Sequence, residues 1–252
     1  MTKNQEKKLK EQRKRERENE KQKRKQRKII VISTVIVVLL VVGIVATAFQ
    51  NLNKNKVAEN QTQNAGKQTE TRATIDYSGQ PMMGQANAPV TIAEFGDYKC
   101  IYCKKFEETI FPKLKKEFID KGKVKFYFIN DTIFGENSQL AADASEAVYH
   151  QNPKGFWAFH KKLYESQGPE NKNWVTKGLL TNIAKETVPS LNMNKFTDAL
   201  NNRSYQDDVV KDYNIAQNIG VKGTPALFID GQQVDPFNYQ DIKETIREAA
   251  NE

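Results

Sequence analysis

Cysteine is almost missing from this 252-residue chain, which has only Cys100 and Cys103. Two cysteines build neither a disulfide framework nor a Cys₄ metal site, so their meaning rests on that one pair. Histidine is equally scarce: His150 and His160 lie far along the chain from the cysteines, which leaves a zinc site without its other two ligands. Net positive charge is absent from most of the sequence, although the formal net charge is +8. The first 28 residues hold 14 Lys/Arg against five Glu, whereas the other 224 hold 25 Lys/Arg against 26 Asp/Glu. No global basic surface remains for a nucleic acid. There is no internal repeat, and once a non-globular stretch of about 70 residues is set aside, roughly 180 are left for one domain with a core.

Residues 29–49 carry no charge and run from Ile29 to Phe49. At about 1.5 Å per residue, such a helix crosses a hydrocarbon layer of about 30 Å. The basic block just before it places residues 1–28 in the cytoplasm and residue 50 onward outside. Ala46-Thr47-Ala48 resembles a cleavage site, so a removed secretory signal is the competing reading. The apolar run is longer than the usual ~7–15 residues of such signals, which favours an uncleaved anchor. Either way the domain is exported to an oxidising compartment where disulfides persist. The basic tail needs no role beyond that of topology signal, although it has the charge to touch anionic lipid. Residues 50–74, rich in Asn, Gln, Thr and Lys, bury too little to fold and read as a tether. A flexible chain of about 25 residues reaches roughly 25–30 Å.

From about Tyr77 the composition becomes globular. Val90–Phe95 reads as a buried strand, and Cys100 to about Phe118 as a helix with Phe106, Ile110, Leu114 and Phe118 on one face, kinked at Pro112. Val124–Ile129 follows as a second strand. Residues 137–220 show no clear strand and read as a helical block: Ser138–His150, Phe156–Glu165, Trp174–Thr187, Lys195–Asn202 and Gln206–Ile219, punctuated by Gly168-Pro169 and Gly220. Pro225–Asp230 and Gln232–Val234 flank Asp230-Gly231, a hairpin signal, and Gln240–Asn251 closes as a helix.

The two sulfurs therefore sit at a strand-to-helix junction. At a helix N-terminus, unpaired N–H groups and the positive dipole end favour a thiolate, which makes Cys100 the nucleophile; Cys103, one turn on, is the resolving thiol. A purely structural disulfide is the plainer alternative, but a loop of about four residues constrains the unfolded chain by only ~2 kcal/mol, less than larger loops provide. Glu94 interrupts an apolar strand. Buried there, its carboxyl is expected to hold its proton more tightly and to exchange it with Cys103; on an edge strand it would be merely exposed. Gly223-Thr224-Pro225 precedes the third strand, where a trans Pro is ordinary; a cis bond would leave the Thr224 backbone open to an extended substrate. Phe156, Trp157, Phe159 and Tyr164 read as core of the helical block, with a hydrophobic groove as the other option. His160 among them is given no chemistry.

Ala88-Pro-Val-Thr-Ile-Ala-Glu-Phe95, Cys100-Ile-Tyr-Cys103 and Val221-Lys-Gly-Thr-Pro-Ala-Leu-Phe-Ile-Asp-Gly231, with a helical block between, resemble the DsbA-like thiol:disulfide oxidoreductases of the thioredoxin superfamily. The resemblance covers about 77–252, and the anchored form is similar to membrane-bound versions from Gram-positive bacteria. It implies an α/β thioredoxin fold over 75–252 with an inserted helical domain at about 137–220. Cys100 is then the attacking cysteine, Cys103 the resolving one, Glu94 the buried acid and Pro225 a cis-proline preceded by Thr224. It further implies a monomeric oxidase of exported proteins with reduced cysteines, needing no dissociable cofactor and reoxidised by a quinone-linked membrane partner of the DsbB type. Ile101-Tyr102 departs from the family, whose members often have Pro after the first cysteine, and His before the second in the strongest oxidant. Oxidising strength stays open, with Lys99, Lys104 and Lys105 as the nearby charges expected to compensate. A reductase or isomerase, and more remotely a non-catalytic surface module, are the alternatives.

Overall fold

The computed structural model describes residues 72–251. The basic tail, the expected anchor and all but the end of the tether lie outside the described residues. Among those described, no helix is long and apolar enough to cross a membrane.

Five strands form one sheet in the order β1-β3-β2-β4-β5: β1 (Met82–Met83), β2 (Val90–Gly96), β3 (Val124–Asn130), β4 (Ala226–Ile229) and β5 (Gln232–Val234). β2 and β3 are parallel, pairing Val90 with Val124 through Gly96 with Asn130, and β4 runs antiparallel to β2 on its other side. β2 is therefore central and covered on both faces, which explains its almost unbroken apolar reading. Asp230 and Gly231 take φ of 45° and 83°, the positive values that a two-residue hairpin turn requires. The two-residue β1 had no periodicity to reveal it.

The connection from β2 to β3 is not the single kinked helix expected. It consists of α1 (Ile101–Thr109), α2 (Phe111–Leu114) and a π-helical turn at Lys115–Ile119. Proline lacks an N–H and clashes inside a helix but fits its first turn, so Pro112 ends α1 near Ile110 and opens α2. Phe106, Ile110, Leu114 and Phe118 nevertheless all face the core, where Phe106 and Leu114 meet Ile92, Phe126 and Leu227 of the sheet.

Between β3 and β4 lie five helices: α3 (Glu136–Gln151), α4 (Phe156–Glu165), α5 (Lys177–Thr187), α6 (Met193–Asn202) and α7 (Gln206–Asn218). The helical block at 137–220 is therefore real, with shifted ends. α5 begins at Lys177 instead of Trp174 because the Thr176 side chain accepts the Leu179 N–H at 3.1 Å; Asn192 does the same for Lys195 N–H ahead of α6. α3 is the central helix of the block, and Ala141, Ala142, Ala144 and Ala147 let its neighbours approach closely. α7 packs against the opposite face of the sheet from α1, where Ala216 meets Phe95 and Phe228, and α8 (Tyr239–Ala249) covers the α1 side. A buried polar cluster ties insertion to sheet: the Asn130 amide of β3 donates to Glu146 of α3 at 2.8 Å and to Asp212 of α7 at 3.2 Å.

Candidate active site

The end of β2 delivers the chain to the sulfurs. Gly96 is the last strand residue, and a Cβ there would lie 2.5 Å from the Phe128 ring, so only glycine lets Phe128 and Tyr164 close beneath the turn. Asp97 then organises the loop. Its carboxylate accepts the N–H groups of Lys99 at 2.8 Å and Phe134 at 3.2 Å, while its carbonyl accepts the Cys100 N–H at 3.0 Å. From the insertion, Gln167 donates its amide to the carbonyls of Tyr98 at 2.8 Å and Cys100 at 3.0 Å, and Glu170 accepts the Ile101 N–H at 3.4 Å. Cys100 is consequently the N-cap of α1, not its first residue as expected, with extended backbone (φ −68°, ψ 119°).

The two cysteines are free thiols in different surroundings. Cys100 is 2% exposed beside the exposed Ile101 and Tyr102, and its thiol donates to the Thr224 carbonyl at 3.2 Å. Its acidity is raised, to a pKa of about 6, chiefly by the Cys103 thiol and then by Thr224 and the N–H groups of Cys103 and Tyr102, against the opposing effect of burial. The Thr224 hydroxyl has no hydrogen-bond partner and is on hand for a thiolate. Cys103 is fully buried, and burial followed by the proximity of Cys100 pushes its thiol well above the usual range.

Glu94 lies mid-strand between Phe128 of β3 and Leu227 of β4, with no surface exposed. The exposed-edge alternative is thereby excluded. Neither of its carboxyl oxygens has a hydrogen-bond partner, and burial, followed by the charges of Glu107 and Cys100, raises its pKa well above the usual carboxylate range. A carboxylate without partners in hydrocarbon is costly, so the neutral acid is the stable form. The Thr224–Pro225 peptide is cis. Cys100, Cys103, Glu94, Thr224 and Pro225 are thus brought together from two parts of the chain more than 120 residues apart.

The nearby lysines are engaged elsewhere: Lys104 reaches Glu108 at 3.9 Å and Lys105 lies over the Phe237 ring at 5.1 Å, and the largest effects on the acidity of Cys100 come from other groups. Local hydrogen bonds do that work.

The thioredoxin family model matches residues 76–248. Disulfide bond formation protein D of Bacillus subtilis (strain 168) is 44% identical over 169 residues, which cover 67% of this chain and 76% of that protein. The chain belongs to the DsbA-like thiol:disulfide oxidoreductases. The crystal structure of oxidised BdbD from Bacillus subtilis matches with a TM-score of 0.69 at 40% identity, covering 72% of this chain and 98% of that one. DsbA of Chlamydia trachomatis, with a TM-score of 0.64 at 21% identity over 74% of this chain and 98% of its own, shares the fold. The protein is accordingly a thiol:disulfide oxidoreductase with a helical insertion.

Around the dithiol of this DsbA-like chain stand residues that the sequence reading missed. Asp97 had a local signal, a turn-forming Asp directly after a strand's terminal Gly. Gln167 and Glu170 had only the Gly168-Pro169 punctuation nearby. His160, given no chemistry from sequence, is 1% exposed; its Nδ1 lies 3.0 Å from the Tyr98 hydroxyl and its Nε2 3.3 Å from Glu107 Oε1. Phe156, Phe159 and Tyr164 are core of the insertion as expected, and Trp157 packs against them; Trp157 and Tyr164 also line a cavity of about 540 Å³ together with Phe111, Glu107 and His160. Among the described residues no cluster of three or more His, Cys, Asp or Glu is arranged to hold a metal ion.

Proposed function

We propose that the protein is a membrane-tethered oxidase that passes its Cys100–Cys103 disulfide to exported proteins with two reduced thiols. Residues 29–49 anchor it, residues 1–28 are cytoplasmic, the tether 50–74 holds the 75–252 domain near the outer face, and the enzyme works as a monomer. A substrate thiolate attacks Cys100 Sγ and breaks the Cys100–Cys103 bond, and Cys103 leaves with its electron pair and takes the Glu94 proton. A second substrate thiolate then attacks the substrate sulfur joined to Cys100, which departs as a thiolate. Two substrate thiols give up two protons; Cys103 keeps one, and one is released at pH values above about 6, where Cys100 stays ionised. Thr224 and Pro225 line the substrate side next to Cys100, with Tyr102 as an exposed apolar contact. Reoxidation falls to a quinone-linked membrane partner of the DsbB type.

The observation that carries this reading is the opposite displacement of the two thiols: Cys100 is lowered to about 6 and Cys103 is raised. A stabilised Cys100 thiolate stabilises the reduced enzyme, and a reduced form that is stabilised makes an oxidant. Equilibration of the protein with glutathione redox buffers tests it. A potential well above the roughly −270 mV of thioredoxin is expected, and one at or below that value would make the protein a reductase.

A further inference from the structure

Glu94 has to regain the proton it gives to Cys103, yet it has no exposed surface. A fully buried acid exchanges protons with water only through other titratable groups or a water path. Among its surroundings, the charge that acts on it most strongly is that of Glu107 on α1. Glu107 is 7% exposed and lines the cavity of about 540 Å³ between α1, α2 and α4, as does His160 of α4. The cavity opens at a rim that carries the exposed side chains of Glu108 and Lys161. Glu107 Oε1 and His160 Nε2 are both buried and lie 3.3 Å apart, in ion-pair range but too bent for a hydrogen bond. Proton transfer between them requires a rotation that brings the N–H and the carboxyl oxygen into line. Nδ1 is fixed by the Tyr98 hydroxyl at 3.0 Å; an imidazole that accepts there carries its mobile proton on Nε2, toward Glu107.

We propose that Glu107 and His160 form the proton conduit between the buried Glu94–Cys103 pair and water in the α1/α4 cavity, with His160 as a positioning residue that acts through Glu107. When Cys103 leaves as a thiolate it takes the Glu94 proton. Glu94 recovers one from Glu107, Glu107 one from His160, and His160 one from cavity water. During reoxidation the same proton travels outward as Cys103 attacks. No electrons move along this path. The proposal rests on the oxidoreductase roles given above to Cys103 and Glu94. The titratable groups facing His160 are Tyr98 from the loop before α1, Glu107 from α1 and Tyr164 from its own helix, with Glu146 of α3 behind Tyr98. Glu108, Lys115, Lys161 and Glu165 line the cavity.

The test follows the rate at which the full chain, carrying glutathione on Cys100, releases it by attack of Cys103. Wild type, His160→Gln and His160→Ala are compared between about pH 5 and 8, the interval in which an imidazole changes charge. His160→Gln keeps the approximate size and polarity of the site but has no group that takes up and releases a proton in this range. Its rate is expected to fall by about 10–100-fold, with a ratio to wild type that changes across the interval. Added imidazole, small enough for the cavity, should restore the Ala variant and leave wild type unchanged. Profiles that overlay wild type overturn the relay, and so does a uniform loss at every pH that imidazole does not repair. Should the Ala variant fail to fold, the His160→Gln profile alone decides. A wild-type protein that exchanges no disulfides would sink the assignment of Cys103 and Glu94 itself, and the relay with it.

Discussion

Two sulfurs one helical turn apart occupy opposite environments. On the Cys100 side the chain supplies donors: the Cys103 thiol, Thr224, and the N–H groups of Cys103 and Tyr102, next to Tyr102 at 56% exposure. On the Cys103 side it supplies hydrocarbon and acid, with Glu94 beneath and Phe128, Tyr98 and Tyr164 around the turn. The same side chain becomes an acid of pKa about 6 in one setting and a tightly held thiol in the other. Hydrogen bonds to the charged form and removal from water are the two levers, and here they are separated by a single turn of helix. The contrast indicates that redox polarity in this protein is set by burial on one side and by hydrogen bonds on the other, from the Cys103 thiol first, then Thr224 and the backbone N–H groups, more than by the side chains between the cysteines.

The comparison breaks most completely if Cys103 is removed. Cys103→Ala should abolish turnover and leave mixed disulfides on Cys100, detectable as adducts that run apart on non-reducing gels; their absence in cells would mean that Cys103 is not the resolving thiol. Glu94 tests the buried side more gently. Glu94→Gln should slow resolution of the Cys100 mixed disulfide by about 10²-fold or more, while the pKa of Cys100 stays near 6. Glu94→Leu should also raise thermal stability, because no acid then has to stay buried. Its advantage grows with pH. In the unfolded wild-type chain Glu94 ionises above its ordinary value, whereas in the folded chain it stays neutral, so wild-type stability is lost as pH rises toward the raised folded value. Melting curves of both proteins from acid to neutral pH check the sign.

The smallest effect belongs to the exposed side. Thr224→Val removes one hydroxyl donor, and the pKa of Cys100 should climb from about 6 by up to about one unit, read from thiolate absorbance. The same group sets a pH trend in wild type. A depressed folded pKa contributes stability to the dithiol form above the unfolded thiol value and loses it as pH falls through about 6. The melting temperature of the reduced protein relative to the oxidised one should therefore drop between about pH 9 and pH 6, and the drop should be shallower in Thr224→Val.

How much of this was legible follows from how local each signal is. Val90–Gly96, Val124–Asn130 and Asp230-Gly231 are written in consecutive residues, and periodicity or turn chemistry reveals them. The Cys-x-x-Cys pair is local too, and so is the oddity of Glu94 in an apolar strand. Pro112 was read as a kink because a lone sequence does not say whether a helix bends at Pro or restarts there. The π-helical turn that follows left no pattern at all. Gln167, Glu170 and His160 were illegible for a different reason: their partners Tyr98, Ile101 and Glu107 lie more than 50 residues away, and polar residues, in a loop like Gln167 and Glu170 or on a helix like His160, usually face water.

By itself the sequence determined the α/β framework, the pair of sulfurs at a strand-to-helix junction and the acid six residues before them, since these depend on spacing along one segment. Tertiary structure decided the rest. It set Cys100 at the N-cap of α1 beside Thr224, sealed Cys103 and Glu94 from water, and carried Glu107 and His160 to one cavity wall. Ionisation depends on what surrounds a group in space, and in a folded chain those surroundings come from segments that are remote in sequence.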